Sequence, residues 1–150
     1  MNALPSRLLV VTDRHQAAAP LEAITMQAML AGVRWIWLRD RDMPAAERRD
    51  LAGRLLAITR RHGALLSIGG DLDLAVELAA DSVHLGAGAS VAAARRKLGP
   101  SALIGISAHG EADIAAAQAG ARSAVTPPSA STGIPDRAAC VIAATPKAGP

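Results

Sequence analysis

Two short apolar runs near the start of the chain end abruptly in charged residues. Residues 8–11 are followed by Thr12-Asp13-Arg14, and residues 35–38 are followed by Arg39-Asp40-Arg41-Asp42. An arginine fork can bind two phosphate oxygens at once, and carboxylates are ligands for hard metal ions. These strand-end residues are therefore candidates for a functional site, and small anions are better candidate ligands for it than polymers.

Three more polar residues lie within or shortly after later predicted strands. His84 lies in the run 82–85, and Ser107 and His109 follow the run 103–106. A neutral histidine can act as a base or a metal ligand, and a serine hydroxyl can donate to a phosphate or a substrate amine. Structural roles remain the alternative, because two histidines without a third partner do not make a metal site and a serine can bond to a nearby carbonyl.

The elements that must position these residues alternate along the chain. Short runs that are apolar throughout and then charged are typical of parallel strands buried on both faces. The predicted strands are 8–11, 35–38, 64–68, 82–85, 103–106 and 123–126, and the predicted helices are 21–31, 44–62, 72–78, 91–98 and 111–119. This α/β order predicts a parallel sheet, either rolled into a barrel or left open and doubly wound.

The C-terminal part of the sequence has a different composition. Residues 127–137 are rich in Pro, Ser, Thr and Gly, and 140–144 is the only later run that could form a strand. A complete eight-unit barrel takes about 250 residues. We therefore expect barrel units over 1–126 and a Pro/Ser/Ala-rich segment of the same domain over 127–150, giving an incomplete (β/α) TIM-type barrel of six to seven strands.

Composition limits the class of protein. Just over half of the 150 residues are apolar, with two Trp and no Phe or Tyr, which predicts one domain with an aliphatic core. The net charge is +3, and the pairs Arg48-Arg49 and Arg60-Arg61 fall within helical patterns. We interpret these pairs as solvated helix faces and not as a nucleic-acid stripe, because almost no aromatic side chain is available to stack on bases.

The sequence also carries expectations about compartment and assembly. Cys140 is the single cysteine, no secretory leader opens the sequence, and no apolar run is long enough to span a bilayer. We expect a cytoplasmic protein without a membrane partner. An unclosed barrel would expose sheet edges, which favours a homo-oligomer.

Four segments together resemble the thiamine phosphate synthase and TenI superfamily. In order they are Leu9-Val10-Val11-Thr12-Asp13-Arg14, Ala31-Gly32-Val33 with Trp37-Leu38-Arg39-Asp40-Arg41-Asp42, Asp81-Ser82-Val83-His84-Leu85-Gly86, and Leu98-Gly99-Pro100 with Ile104-Gly105-Ile106-Ser107-Ala108-His109. The resemblance covers about residues 8–126 and implies a (β/α) barrel. It implies a transferase of thiamine biosynthesis that couples hydroxymethylpyrimidine pyrophosphate with thiazole phosphate, using Mg²⁺ and releasing pyrophosphate. For TenI-type members it implies a thiazole tautomerase.

The resemblance also implies roles for individual residues. Arg39 stands where the family has its pyrophosphate-binding arginine, and Arg41 stands where the family usually has a lysine. Ser107 matches the serine of a Ser-Thr-His segment, and Thr132 matches a threonine that holds phosphate. His84 and His109 are possible accessory residues. For the two arginines, the alternative is a surface pair bridged to the neighbouring aspartates at positions 40 and 42.

The metal-binding part of the family pattern is changed in this sequence. An Asn-Asp pair is usual where this chain has Gly69 and Gly70, and a second metal-binding aspartate is usual near Ala89. Asp71 is displaced by one residue, and helix capping is the simpler role for it and for Asp73. We therefore assign no metal ligand and no catalytic residue, although the family implies Mg²⁺.

Later positions depart from the pattern as well. The lysine expected in the last phosphate segment is Pro135, no TenI-type histidine follows, and no glycine-rich phosphate turn is recognisable. Three hypotheses follow. The chain is a synthase-like protein with low catalytic competence, a non-catalytic TenI-like or regulatory protein that binds a thiamine precursor or phosphate, or a part of a longer protein.

Overall fold

The computed structural model describes the backbone of residues 5–123 and 140–144 and the side chains of residues 5–119. Strands and helices alternate. The strands are β1 Val10–Val11, β2 Trp35–Leu38, β3 Leu65–Gly69, β4 Ser82–Leu85, β5 Leu103–Ala108 and β6 Cys140–Ala144, and the helices are α1 Leu21–Leu30, α2 Ala45–Arg61, α3 Leu72–Glu77, α4 Val91–Leu98 and α5 Glu111–Ser123. No helix in these ranges is long and apolar enough to cross a membrane.

The sheet has six strands, and every pairing is parallel. Its spatial order is β1-β2-β3-β4-β5-β6, the same as the order along the chain. A doubly wound sheet reverses its strand order at a switch point, whereas a barrel winds in one direction. The described strands contain no such reversal, and no pairing among them joins β6 back to β1. The order agrees with the predicted incomplete (β/α) barrel.

One face of the sheet carries the aliphatic core. Alternate residues of β2 to β5 point to this face, where they pack with buried residues of the helices. The fully or nearly fully buried strand residues are Ile36, Leu38, Leu66, Ile68, Val83, Leu85, Ile104 and Ile106, and their helical neighbours include Ala52, Leu55, Ala75 and Ala94. The predicted aliphatic core is confirmed for the described residues.

Most element boundaries lie within a residue or two of the predicted ones. Gly32 and Gly63 follow α1 and α2 with positive φ angles of 93° and 61°, a conformation that glycine adopts without strain. The predicted strand at 123–126 is wrong at its first residue, because Ser123 is the last residue of α5. Its remaining residues lie outside the described part of the chain.

The predicted solvated helix face is wrong for Arg48. Arg49 is exposed and pairs with Glu77, but Arg48 is only 4% exposed. The reason is helical spacing: position 48 lies three, seven and eleven residues before the buried Leu51, Leu55 and Thr59, so it shares their face of α2. A charged side chain is therefore carried into the interior by the helix period.

Candidate anion-binding site at the carboxyl edge of the sheet

The sheet face opposite the aliphatic core carries polar and aromatic side chains. We call it the polar face and define it by Trp35, Trp37, Ser67, Ser82, His84 and Ser107. These residues alternate with the core residues along β2 to β5, and the strand register sets Trp37 beside Ser67, and Ser67 beside Ser82. Successive side chains of a strand point to opposite faces, so one set of strands builds both surfaces.

A chain of hydrogen bonds lies at the amino end of the polar face. The indole N–H of Trp35 donates to the Ser67 hydroxyl at 2.9 Å, and the Ser67 and Ser82 hydroxyls are 2.6 Å apart. Ser67 accepts from the indole, so its own hydroxyl can donate to Ser82. All three side chains are buried. The chain joins β2, β3 and β4 and satisfies its buried polar groups within the protein.

A second group lies nearer the carboxyl end. The rings of Trp37 and His84 stack with their centroids 3.9 Å apart, and His84 Nε2 is 3.1 Å from the Ser107 hydroxyl. Gly105 leaves room for the imidazole, because a Cβ there would lie 2.6 Å from His84 Nδ1. The group therefore depends on a glycine in the neighbouring strand.

The environment of His84 fixes its charge state. Burial, and after it the positive charge of Arg41, lowers the pKa of His84 to about 4. The imidazole is therefore neutral near pH 7, with one ring nitrogen as donor and the other as acceptor. It can orient the Ser107 hydroxyl without adding positive charge.

One donor of this group has no hydrogen-bond partner among the described residues. The Nε1 atom of Trp37 is buried and makes no hydrogen bond to any described residue. It lies against the backbone of Gly69, where a Cβ would be 2.6 Å away. An unpaired buried donor costs about 1–3 kcal/mol, which an acceptor atom of a ligand or a water molecule can offset.

Arg39, predicted to bind pyrophosphate, is an ion-pair partner in this structure. Its guanidinium donates to Asp13 at 2.9 Å, and its backbone N–H donates to the Thr12 hydroxyl. That hydroxyl donates to the buried carboxylate of Asp40, which also accepts from the backbone N–H of Arg14 at 2.7 Å. The predicted bridge from Arg39 to Asp40 is wrong, because Asp40 is used to join the exits of β1 and β2.

The other charged groups after β1 and β2 are also matched. Asp42 pairs with Arg14 at 2.9 Å and with His15 at 2.7 Å. The hydrogen bond from His15 is the main reason that the pKa of Asp42 is lowered. A hydrogen bond from Gln16 is the main reason that the pKa of Asp13 is lowered. Negative and positive groups thus neutralise one another on this side of the edge.

Arg41 differs from these residues. It is exposed, and within the described part of the chain it has no hydrogen-bond or carboxylate partner, so the predicted bridge to Asp42 is absent as well. Its guanidinium lies over Gly70, where a Cβ would be 2.5 Å from one terminal nitrogen. Its charge lowers the pKa of His84, after the effect of burial. Among the described residues, Arg41 is therefore an unpaired cation beside the group of Trp37, His84 and Ser107.

Arg48 supports this edge from inside. Its guanidinium donates to the carbonyl oxygens of Asp40 at 2.9 Å and Gly69 at 2.7 Å, and to Asp71 at 3.2 Å. Burial lowers the pKa of Arg48, and Asp71 opposes that shift. The side chain therefore holds the exits of β2 and β3 together. The sequence motifs did not single out Arg48, although its helical spacing from Leu51 and Leu55 could have predicted that it is buried.

Comparison with known protein families identifies the family of this chain. Residues 8–137 match the model of the family described as thiamine monophosphate synthase, TMP-TENI. The chain belongs to this family. The resemblance to the thiamine phosphate synthase and TenI superfamily that the sequence motifs indicated is confirmed.

Similar proteins extend the comparison. A provisionally named thiamine-phosphate synthase from Geobacter sulfurreducens is 44% identical over 114 residues, which are 75% of this chain and 54% of the relative. The thiamine-phosphate synthase of Halorhodospira halophila is 37% identical over the same shares. A solved structure of thiamine phosphate pyrophosphorylase from Pyrococcus furiosus is similar with a TM-score of 0.65 and 26% identity, over 75% of this chain and 55% of that one. The chain spans about half the length of these relatives.

The residues of this family member do not fit the Mg²⁺ that the family implies. Neither Gly70 nor Ala89 has an oxygen ligand in its side chain. Asp71 accepts from the N–H of Leu74 at the start of α3 and pairs with Arg48, so each of its oxygens already has a bonding partner within the protein. The described residues contain no group of three His, Cys, Asp or Glu side chains that could hold a metal.

The remaining predicted site residues lie at different places in this thiamine monophosphate synthase family member. Ser107 is part of the polar face. His109 is exposed after β5, where its backbone N–H donates to Asp113 at 2.8 Å. Thr132 lies outside the described residues. The structure therefore brings together Arg41, His84 and Ser107.

Proposed function

We propose that the chain acts in thiamine biosynthesis as a thiamine phosphate synthase-like protein that binds hydroxymethylpyrimidine pyrophosphate at the carboxyl edge of the sheet. One observation carries the proposal. The guanidinium of Arg41 has no partner among the described residues and lies beside the neutral pair of His84 and Ser107. A family relationship to synthases supplies the substrate class.

Each residue has a distinct task in this proposal. Arg41 donates to pyrophosphate oxygens, and charge-assisted bonds of this kind are among the stronger ones in proteins. Ser107, oriented by His84, donates one hydrogen bond to the substrate or accepts one from it. Arg39 can join by leaving Asp13, since a half-exposed ion pair is worth only about 0–1 kcal/mol.

Coupling to thiazole phosphate is the reaction of the proposed synthase role. Pyrophosphate leaves as the new bond to the thiazole forms, and negative charge develops on the leaving oxygen. Arg41 is placed to stabilise that charge. No step is assigned to a metal, because the carboxylates that would hold it are replaced by Gly70 and Ala89.

A second candidate is a non-catalytic, TenI-like or regulatory protein that binds the same precursor. The observation that favours it is the use of both Asp71 oxygens within the protein. A site that binds the pyrophosphate group of the precursor but does not assist its departure would leave the precursor intact. Both candidates require binding, and they differ in turnover.

The decisive experiment combines calorimetry with a product assay on the purified 150-residue chain. We expect saturable binding of hydroxymethylpyrimidine pyrophosphate. Thiamine phosphate formed on addition of thiazole phosphate would identify the synthase, and binding without product would identify the binding protein. Absence of binding would refute both. Arg49→Ala is the matched control, because Arg49 pairs with Glu77 on the surface of α2, away from the site.

We also propose a cytoplasmic homo-oligomer. Leu8 and Val11, at the β1 edge of the sheet, are 56% and 40% exposed. Exposed strand edges favour pairing between chains. Light scattering coupled to size-exclusion chromatography should show a species larger than the 15.3 kDa monomer. A monomer at all concentrations would contradict the assembly.

A further inference from the structure

Two adjacent glycines at the exit of β3 are covered by side chains from β2 and its exit. A Cβ at Gly69 would lie 2.6 Å from Nε1 of Trp37, and a Cβ at Gly70 would lie 2.5 Å from a terminal nitrogen of Arg41. Contacts this short do not occur, so neither position can carry a side chain unless its neighbour moves. The space beside the two glycines is therefore filled by an indole and a guanidinium.

We propose that the guanidinium of Arg41 replaces the divalent cation at this edge, so that the chain binds a pyrophosphate group without a metal. The inference rests on the site of the proposed function and deepens it. It concerns how the anion is held, and it stands or falls separately from whether the pyrimidine is recognised.

The charges around Arg41 support the proposal. The nearest buried cation is Arg48, whose bonds go to two backbone carbonyls and to Asp71. That aspartate also caps α3, and neither it nor any other described carboxylate forms an ion pair with Arg41. His84, on the other side, is neutral near pH 7. An anion that approaches Gly70 therefore meets a positive group that no described carboxylate pairs with.

The chemistry of the donors also fits an anion. A guanidinium presents paired N–H groups that can donate to two oxygens of one phosphate. Next to it, the N–H of Trp37 is buried and has no acceptor among the described residues. A metal, in contrast, would find no carboxylate cluster in this part of the chain. The donors at this edge suit oxygen atoms and not cations.

The direct test is calorimetric titration of the full chain with inorganic pyrophosphate in EDTA, and separately with Mg²⁺ alone. We expect saturable pyrophosphate binding in EDTA and no binding of Mg²⁺ alone. Binding of pyrophosphate only after Mg²⁺ is added would overturn the inference, and so would a lack of binding under both conditions. Arg41→Met should weaken binding in EDTA at least tenfold, and Arg49→Met should leave it within twofold.

A second pair of variants separates charge from shape. Gly70→Asp places a carboxylate against Arg41, and Gly70→Asn places a neutral group of the same size there. Both residues tolerate the positive φ of 65° better than most. We expect the aspartate variant to bind pyrophosphate in EDTA at least fivefold more weakly than the asparagine variant. Equal affinities would mean that the charge of Arg41 does not hold the anion.

The two proposals fail in different ways. Pyrophosphate binding in EDTA together with no binding of the pyrimidine pyrophosphate would refute the proposed function and keep the metal-free anion site. Binding of the pyrimidine pyrophosphate only with Mg²⁺ would keep the proposed function and refute the metal-free site.

Discussion

The two faces of the sheet are built from the same strands and follow different rules. The core face consists of aliphatic residues such as Ile68 and Val83, which pack without directional bonds. The polar face consists of pairs that meet at defined atoms, such as Trp37 with His84 and His84 with Ser107. Burial of apolar side chains determines the composition of the core face. Strand register determines the contacts of the polar face, because the register decides which side chains become neighbours.

The comparison also explains where change is tolerated. An aliphatic core accepts another residue of similar volume at modest cost. A hydrogen-bonded or stacked pair does not, since one altered partner leaves the other unsatisfied. Function at the carboxyl edge therefore depends on few residues, and stability depends on many.

The largest effect should come from the core face. Leu66 is fully buried in β3, and Leu66→Ala should lower the free energy of unfolding by about 2–5 kcal/mol because it leaves a cavity. Urea denaturation at pH 7 measures the change. Leu30, which is 68% exposed on α1, is the matched control, and Leu30→Ala should cost less than about 0.5 kcal/mol. Similar losses for both variants would contradict the assignment of the core face.

The second prediction concerns pH and the polar face. The pKa of His84 falls from 6.5 to about 4 on folding, so between these values the unfolded chain binds more protons than the folded one. Stability should therefore be complete above pH 6.5 and decrease as the pH falls toward 4, by up to about 3 kcal/mol. Urea denaturation at several pH values measures the slope.

A variant pair isolates the contribution of His84. His84→Gln should lose the part of the slope between pH 6.5 and 4, and His62→Gln, at the end of α2 and outside the polar face, should keep it. The carboxylates contribute equally to all three proteins, so the difference belongs to His84. Identical slopes in wild type and His84→Gln would show that the imidazole is not held neutral by its surroundings.

The third prediction tests the contact between β4 and β5. Gly105→Ala places a methyl group 2.6 Å from His84 Nδ1, which must displace the imidazole from Trp37 and Ser107. We expect a loss of about 1–3 kcal/mol, as for overpacking, together with a change in tryptophan fluorescence.

A second glycine provides a control with the opposite sign. Gly53 lies inside α2 with nothing within 4 Å of its Cβ position, so Gly53→Ala should stabilise the protein by about 0.5–1 kcal/mol. If Gly105→Ala also proved stabilising, the imidazole could not lie where the structure has it.

The sequence predicted the core face better than the polar face. A continuous apolar run located β2 at its observed limits, because burial on both faces leaves a strong local pattern. The same pattern did not reveal that Trp37 stacks on His84, since that contact depends on how β2, β3 and β4 are aligned. The local sequence predicts where a strand lies, whereas the alignment of neighbouring strands determines which side chains contact each other.

The charged residues show the same limit. Arg39 and Arg41 were both predicted as anion ligands, Arg39 at the family's arginine position and Arg41 in place of a lysine. One is paired with Asp13, and the other has no partner among the described side chains. Their sequence positions are two apart, and the deciding partner is 26 residues away. Arg48 was predicted to lie on a solvated helix face because its arginine pair falls within a helical pattern that lacks aromatic side chains for nucleic-acid binding. Its burial follows from the helix period. The charge of a side chain does not by itself predict whether that side chain is exposed, paired or buried.

The smallest effect should come from the rim of the polar face. Arg39 is half exposed and pairs with Asp13, so Arg39→Ala should change the free energy of unfolding by less than about 1 kcal/mol, and Asp13→Asn should do the same. A double-mutant cycle in urea measures the coupling, which should decrease as salt is added because the pair is screened. The same Arg39→Ala protein, titrated with pyrophosphate, decides whether this arginine leaves Asp13 to bind: a weakening by about 1.5–3 kcal/mol assigns it to the site, and an unchanged affinity leaves Arg41 as the arginine that holds the anion.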